Sequence, residues 1–148
     1  MNLNTTSLEL DVQMFLRLLA AVVFGALVGY ERERAGKPAG VRTHGMVSLG
    51  AALFAVVSLH GFGGVGDPGR IAAQIVTGIG FLGAGAILHQ RGSVHGLTTA
   101  ASLWVTAAIG LAVGVGMIFM SLATAILVFL LLHFGPRPRP KGADNEAE

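Results

Sequence analysis

The sequence predicts an all-α fold, a polytopic helical membrane protein with five transmembrane helices, its N-terminus outside and its C-terminus in the cytoplasm. Three observations carry this. Five long apolar segments lie within 148 residues. Only 12% of residues are charged and 53% are hydrophobic, whereas soluble domains carry about 25% charged residues. Lys and Arg fall almost entirely on one side of the segments if these alternate across a bilayer. The chain has no cysteine, which excludes a disulfide framework, a thiolate metal site and a Cys nucleophile.

A helical span needs roughly 20 mostly apolar residues, and the elements follow in order. Residues 1–11 form an extracytoplasmic segment; it carries Glu9 and Asp11 but no Lys or Arg, so it does not read as a secretory signal. Span one is Val12–Tyr30 and span two Thr43–Leu59. Span three, Ile71–Leu88, is opened by Asp67-Pro68-Gly69-Arg70. Asp67 suits a helix N-cap and Pro68 the first turn. Span four, Thr99–Val115, is entered through Gly92–Gly96, with Thr98 or Thr99 as the cap. Span five is Met117–Phe134. It is separated from span four at Gly114-Val115-Gly116, because the joined stretch is too long for one helix crossing a core of about 30 Å. Residues 135–148, with Pro136, Pro138 and Pro140 alternating with basic residues, read as a disordered cytoplasmic tail.

The connection after span one holds Arg32, Arg34, Lys37 and Arg42, that after span three holds Arg91, and the tail holds Arg137, Arg139 and Lys141. The other side has only Arg17 and Arg70. This asymmetry sets the orientation. The basic residues flank spans instead of lining one exposed face, so nucleic acid is not an expected partner; the lipid bilayer is.

Helices in lipid associate through close packing of small residues. Gly25 and Gly29 in span one, and Gly78, Gly80, Gly83 and Gly85 in span three, are the candidate packing positions. Spans one, three and four are expected at the centre, and the bulkier span five toward lipid. Gly78–Gly83 matches a dinucleotide-binding glycine pattern letter for letter. That reading fails, because the pattern needs a preceding strand and an acid about 20 residues later, and no Asp or Glu lies between Asp67 and Asp144.

Two polar groups stand out. Glu31 and Glu33 close span one while Arg42 opens span two, each unfavourably placed in its own helix dipole; a salt bridge between Arg42 and Glu31 or Glu33 is expected. Arg17, Asp67, Arg70 and Gln74 form an expected outer polar cluster. His44 with His89 or His95 is the weaker candidate for a metal grouping, and the metal ligands are left unassigned. No acid lies within a span, which speaks against a dehydrated central cation cage. No nucleophile–base pair stands out, so the chain is not expected to be an enzyme or to need a cofactor, with Mg²⁺ as ligand or substrate the one ion in view.

Four blocks, Gly29–His44, Asp67–Val76, Gly78–Ile87 and Gly96–Trp104, together resemble the MgtC/SapB family of bacterial inner-membrane proteins. The resemblance covers roughly residues 12–134. It implies a multi-pass protein of the cell inner membrane acting in magnesium homeostasis or adaptation to low magnesium, with Mg²⁺ transport as one route. The alternative it implies is a non-transporting regulator of another membrane complex, such as the F-type ATP synthase. Candidate functional residues inside the matched blocks are Glu31, Arg32, Glu33, Arg42, Asp67, Arg70, Gln74, Thr98 and Thr99. Longer members add an ACT-like domain, which this sequence is expected to lack. A membrane-protein partner and self-association into a homo-oligomer complete the expectations.

Overall fold

The computed structural model describes residues 3–62, 67–90 and 93–135. Arg91 and the tail from residue 136 onward lie outside the described residues, as do the expectations placed on them. Five helices account for most of the chain: α1 Leu3–Arg34, α2 Val41–His60, α3 Pro68–Gly85, α4 Leu97–Gly114 and α5 Ile118–Phe134. A small antiparallel hairpin, β1 Leu88–Gln90 and β2 Ser93–His95, joins α3 to α4, with His89 opposite Val94. Leu88, expected at the end of span three, therefore belongs to a strand.

Among the described residues three helices, α1 over Leu8–Arg34, α2 and α4, are long and apolar enough to cross a membrane, and α5 is a shorter apolar helix. The α3 helix opens with Arg70 and Gln74 in its first two turns, which dilutes its apolar character. Phe81, Phe119, Leu131 and Phe134 are each more than 70% exposed. So much bare aromatic and aliphatic surface is an aggregation liability in water and the ordinary exterior of a protein in lipid.

Helix ends are set by glycine and backbone chemistry. At the end of α1, Lys37 N donates to Arg32 O and Gly36 N to Glu33 O, with Gly36 at φ 64°. This double bond pattern satisfies carbonyls the last turn would leave open, and the left-handed residue is glycine because a Cβ is disfavoured there. The same arrangement ends α4, where Met117 N donates to Ala112 O and Gly116 N to Val113 O, with Gly116 at φ 93°. Gly114–Met117 is thus a true helix break. Asp67 caps α3, its Oδ1 accepting from Gly69 N at 2.8 Å.

The centre of the bundle is α1, α2 and α4, which corrects the expectation that span three would be central. Residues of α4 enter all three buried apolar clusters: Leu103 and Ala107 with Ala51 and Ile79, Val113 with Ala21 and Ala52, and Ile109 with Val28 and Ala125. Glycine explains how the three backbones meet. A Cβ at Gly25 would stand 2.6 Å from His44 O and 2.7 Å from Ser48 Cβ, and one at Gly110 would overlap the Ser48 backbone carbonyl. Gly29 lies against Gly40 and Val41, and Gly114 against Ala52 and Ala55. By contrast, a Cβ at Gly78, Gly80 or Gly85 would meet nothing, and one at Gly83 only makes ordinary contact with Ala100 at 3.7 Å. Within one chain, the glycines of α3 are not what packs the core. The α5 helix fully buries only Ser121 and Ala125; Val128 and Leu132 pack partly against the Val28–Ile109 cluster, while Phe119, Leu127, Leu131 and Phe134 face outward.

Candidate functional site

A buried polar network joins the three central helices at the end where α1 closes and α2 and α4 begin. Arg32, in the last turn of α1, is 5% exposed, and Glu31 beside it is 4% exposed. Arg32 Nη2 donates to Thr99 Oγ1 of α4 at 2.8 Å. Ser102, one turn deeper, lies 2.8 Å through its Oγ from Thr99 O and 3.1 Å from His44 Nε2 of α2. His44 is fully buried, and its Nδ1 lies 3.1 Å from Gly40 O. Thr106 Oγ1 continues the line by donating to Ser102 O at 2.7 Å.

Counting hydrogens defines what this network can do. Gly40 O can only accept, so Nδ1 of His44 carries a hydrogen. With His44 neutral, Nε2 is an acceptor and takes the Ser102 hydroxyl hydrogen. Yet Thr99 O competes for that one hydrogen. A protonated His44 would donate from Nε2 to Ser102 Oγ and release the hydroxyl hydrogen to Thr99 O. The network therefore supports two hydrogen-bond directions over one set of heavy-atom positions.

Among the described residues, three buried side-chain polar atoms lack a hydrogen-bond partner: Glu31 Oε2, Arg32 Nε and Ser48 Oγ. Glu31 supplies negative charge beside Arg32, which offsets part of the cost of burying a guanidinium. Ser48 sits one turn below His44, at the Gly25–Gly110 crossing.

The expected residues separate into distinct roles. Glu33 does not pair with Arg42: its Oε2 accepts from Val41 N at 3.0 Å, and no ion pair joins Arg42 to Glu31 or Glu33 among the described residues. The first N–H groups of α2 are open donors with positive partial charge, so the carboxylate binds the helix end itself, and Arg42 is exposed. Thr98 is exposed and Thr99 is turned inward, so neither caps α4. The cap is Gly96, at φ 89°, where a Cβ would overlap Ala86 O as the chain folds back on the end of α3.

The outer cluster is also divided. Arg17 Nη1 donates to Gly114 O at 3.1 Å, placing a cation on open carbonyls at the C-terminus of α4, which suits the helix dipole. Asp67, Arg70 and Gln74 instead line a cavity of about 520 Å³ with Ser58 and Phe62, between the end of α2 and the start of α3. His44 has both ring nitrogens engaged in the core, so it is not part of a metal grouping with His95, and the His89 side chain lies outside the description. Among the described residues no group of three His, Asp or Glu side chains is placed to hold a metal ion.

Against this geometry, the family model of the MgtC family matches residues 18–138. The chain belongs to the MgtC family. YhiD of Escherichia coli K12 is 44% identical over 131 residues, covering 84% of this chain and 61% of YhiD. MgtC of Salmonella typhimurium is 49% identical over 113 residues, 76% of this chain and 48% of MgtC. An uncharacterized Haemophilus influenzae protein is 37% identical over 132 residues, 83% of this chain and 56% of its own length. The chain thus spans about half to three fifths of the curated relatives it matches. No solved structure matches. The match includes the whole polar network, from Arg32 and His44 to Thr99, Ser102 and Thr106.

His44, Ser102 and Thr106 are the members of this network that sequence reasoning did not assign to it. The signal was present: His44 and Ser48 are four apart on α2, and Thr99, Ser102 and Thr106 follow at three and four on α4. Those are the intervals that keep polar groups on one helix face, here the inner one.

Proposed function

We propose that this MgtC-family protein is a non-enzymatic, multi-pass protein of the bacterial inner membrane that acts in magnesium homeostasis by engaging another membrane complex, without carrying the ion itself. Its topology is five spans, with residues 35–40 and the C-terminus cytoplasmic. The cluster of Arg32, Arg34, Lys37 and Arg42 at that end, against Arg17 and Arg70 at the other, supports the orientation. The magnesium assignment is supported by the printed name of the E. coli K12 relative, "Putative magnesium transporter YhiD".

The single observation that carries the non-carrier reading is the crossing at Gly25, Ser48 and Gly110. There the backbones approach so closely that a methyl group does not fit. A path along the polar network from Arg32 and His44 leads into that crossing. Mg²⁺ sheds its water reluctantly, and a buried guanidinium at the entrance adds repulsion.

Transport is the second reading, favoured by the same relative's name. Mg²⁺ flux into liposomes holding the folded, inserted protein, followed with an internal indicator, separates the two. Saturable uptake absent from empty liposomes would overturn the non-carrier reading; none is expected.

A further inference from the structure

The cavity lined by Asp67 and Arg70 adjoins a second cavity of about 740 Å³ between α2 and α3, Ile71 and Gln74 lining both. This lower groove is apolar, walled by Phe54, Ile75, Ile79 and Leu82 and floored by Gly50 and Gly78. Neither glycine has a neighbour a Cβ would meet, so their missing side chains keep the groove open. From Ile71 to Leu82 it extends for about 17 Å at 1.5 Å per residue, close to the depth of one leaflet of a roughly 30 Å hydrocarbon core.

At the head of this groove stand one acid and one base that do not pair with each other. Asp67 Oδ1 accepts from Gly69 N, and Arg70 N donates to Asp67 O, but the Arg70 side chain is exposed, with no ion pair or side-chain hydrogen bond among the described residues. A carboxylate and a guanidinium, held apart above an apolar slot one leaflet deep, complement a zwitterion carrying acyl chains. We propose that this groove is a binding site for a phospholipid with a primary-amine headgroup, of the phosphoethanolamine class. Arg70 takes the phosphate, since guanidinium suits phosphate geometry. Asp67 takes the ammonium, Gln74 sits at the level of the ester carbonyls, and one acyl chain lies along Ile75, Ile79 and Leu82. A phosphoglycerol headgroup offers Asp67 no cation, so it binds less well. The site does not depend on whether the protein carries Mg²⁺.

Native mass spectrometry of the full chain in detergent, titrated with phosphatidylethanolamine, phosphatidylglycerol and phosphatidylcholine of matched chains, tests this. The expected result is one retained phosphatidylethanolamine per chain, favoured at least fivefold over phosphatidylglycerol. Asp67→Asn keeps a competent helix cap and is expected to abolish that preference. Arg70→Gln is expected to weaken all phosphate-bearing lipids, and Gly78→Leu to weaken every two-chain lipid by filling the groove. Thermal melting of each variant, expected to match the parent, keeps folding separate from binding. Soluble glycerophosphoethanolamine at the same concentration is expected not to compete, which places part of the affinity in the chains. Equal retention of all lipids, unchanged retention in the Asp67 and Arg70 variants, or a lipid-free dimer protecting α3 would each overturn the proposal.

Discussion

Arg32 and Thr99, 67 residues apart in sequence, meet through a 2.8 Å hydrogen bond that ties the last turn of α1 to the first turn of α4. Both residues are at least 95% buried. Truncating one end of such a bond leaves the other end buried without its partner, at about 1–3 kcal/mol. Thr99→Val is therefore expected to lower the melting temperature of the purified protein by several degrees. Arg32→Met still uncovers the buried Glu31 charge, but it is expected to cost less when Thr99 is valine than in the parent, a non-additivity of more than about 0.5 kcal/mol in the way of groups in one network. Additive losses in a double-mutant cycle would show that the two side chains do not support one another.

Glycine substitutions should split by helix. Gly110→Ala forces a methyl group into the Ser48 backbone, and overpacking of this kind costs about 1–3 kcal/mol or more. Loss of monodisperse protein on size-exclusion chromatography is the expected outcome. Gly80→Ala, whose methyl group meets nothing, should elute and melt as the parent does or slightly better, since alanine favours helix. If both variants behave alike, the central position of α4 is wrong.

Glu33 holds the start of α2 through Val41 N. Removing a side chain that satisfies a helix N-terminus costs about 1 kcal/mol, less where solvent screens the charge. Glu33→Ala should thus produce a small loss of thermal stability that Glu33→Gln largely restores, while Arg42→Ala changes nothing and adds nothing to the Glu33 variant. A measured coupling between Glu33 and Arg42 would restore the salt bridge expected from sequence.

Ser102→Ala removes the hydroxyl shared by His44 and Thr99 and leaves the buried imidazole Nε2 unpaired. Destabilisation of about 1–3 kcal/mol is expected, with the His44 ring freed to shift its proton resonances in NMR of ¹⁵N-histidine-labelled protein. Unchanged imidazole signals in Ser102→Ala would rule out the shared hydroxyl.

Much of the fold was legible because lipid imposes length and polarity on each helix. The break at Gly114-Val115-Gly116 could be read from an apolar run too long for one crossing, and Asp67-Pro68 from cap chemistry. The place of α3 could not. Its glycines look like packing residues by composition, and only three-dimensional neighbours distinguish Gly78, which faces open space, from Gly25, which faces Ser48. At the site, helix-end rules correctly marked Glu33 and Arg42 as out of place in isolation. They did not reveal that a backbone N–H outcompetes a side chain as the partner. His44 was harder to place for a different reason: its spacing from Ser48 marks a polar inner face, but the sequence does not say which hydroxyls a distant helix will bring to it.

Because α4 contributes to every buried cluster, the order in which the chain leaves the ribosome matters. When α2 is complete, Gly25 and Ser48 can already meet, but Arg32 has no Thr99 and Ala52 has no Val113. The roughly 50 residues still to come take ~3–10 s at ordinary synthesis rates. Through that interval the newborn α1–α2 hairpin holds the Arg32 guanidinium and the Glu31 carboxylate beside it without the Thr99 hydroxyl or the cover of α4. Water, lipid headgroups or the insertion machinery must shelter them until the fourth helix arrives and closes the interior.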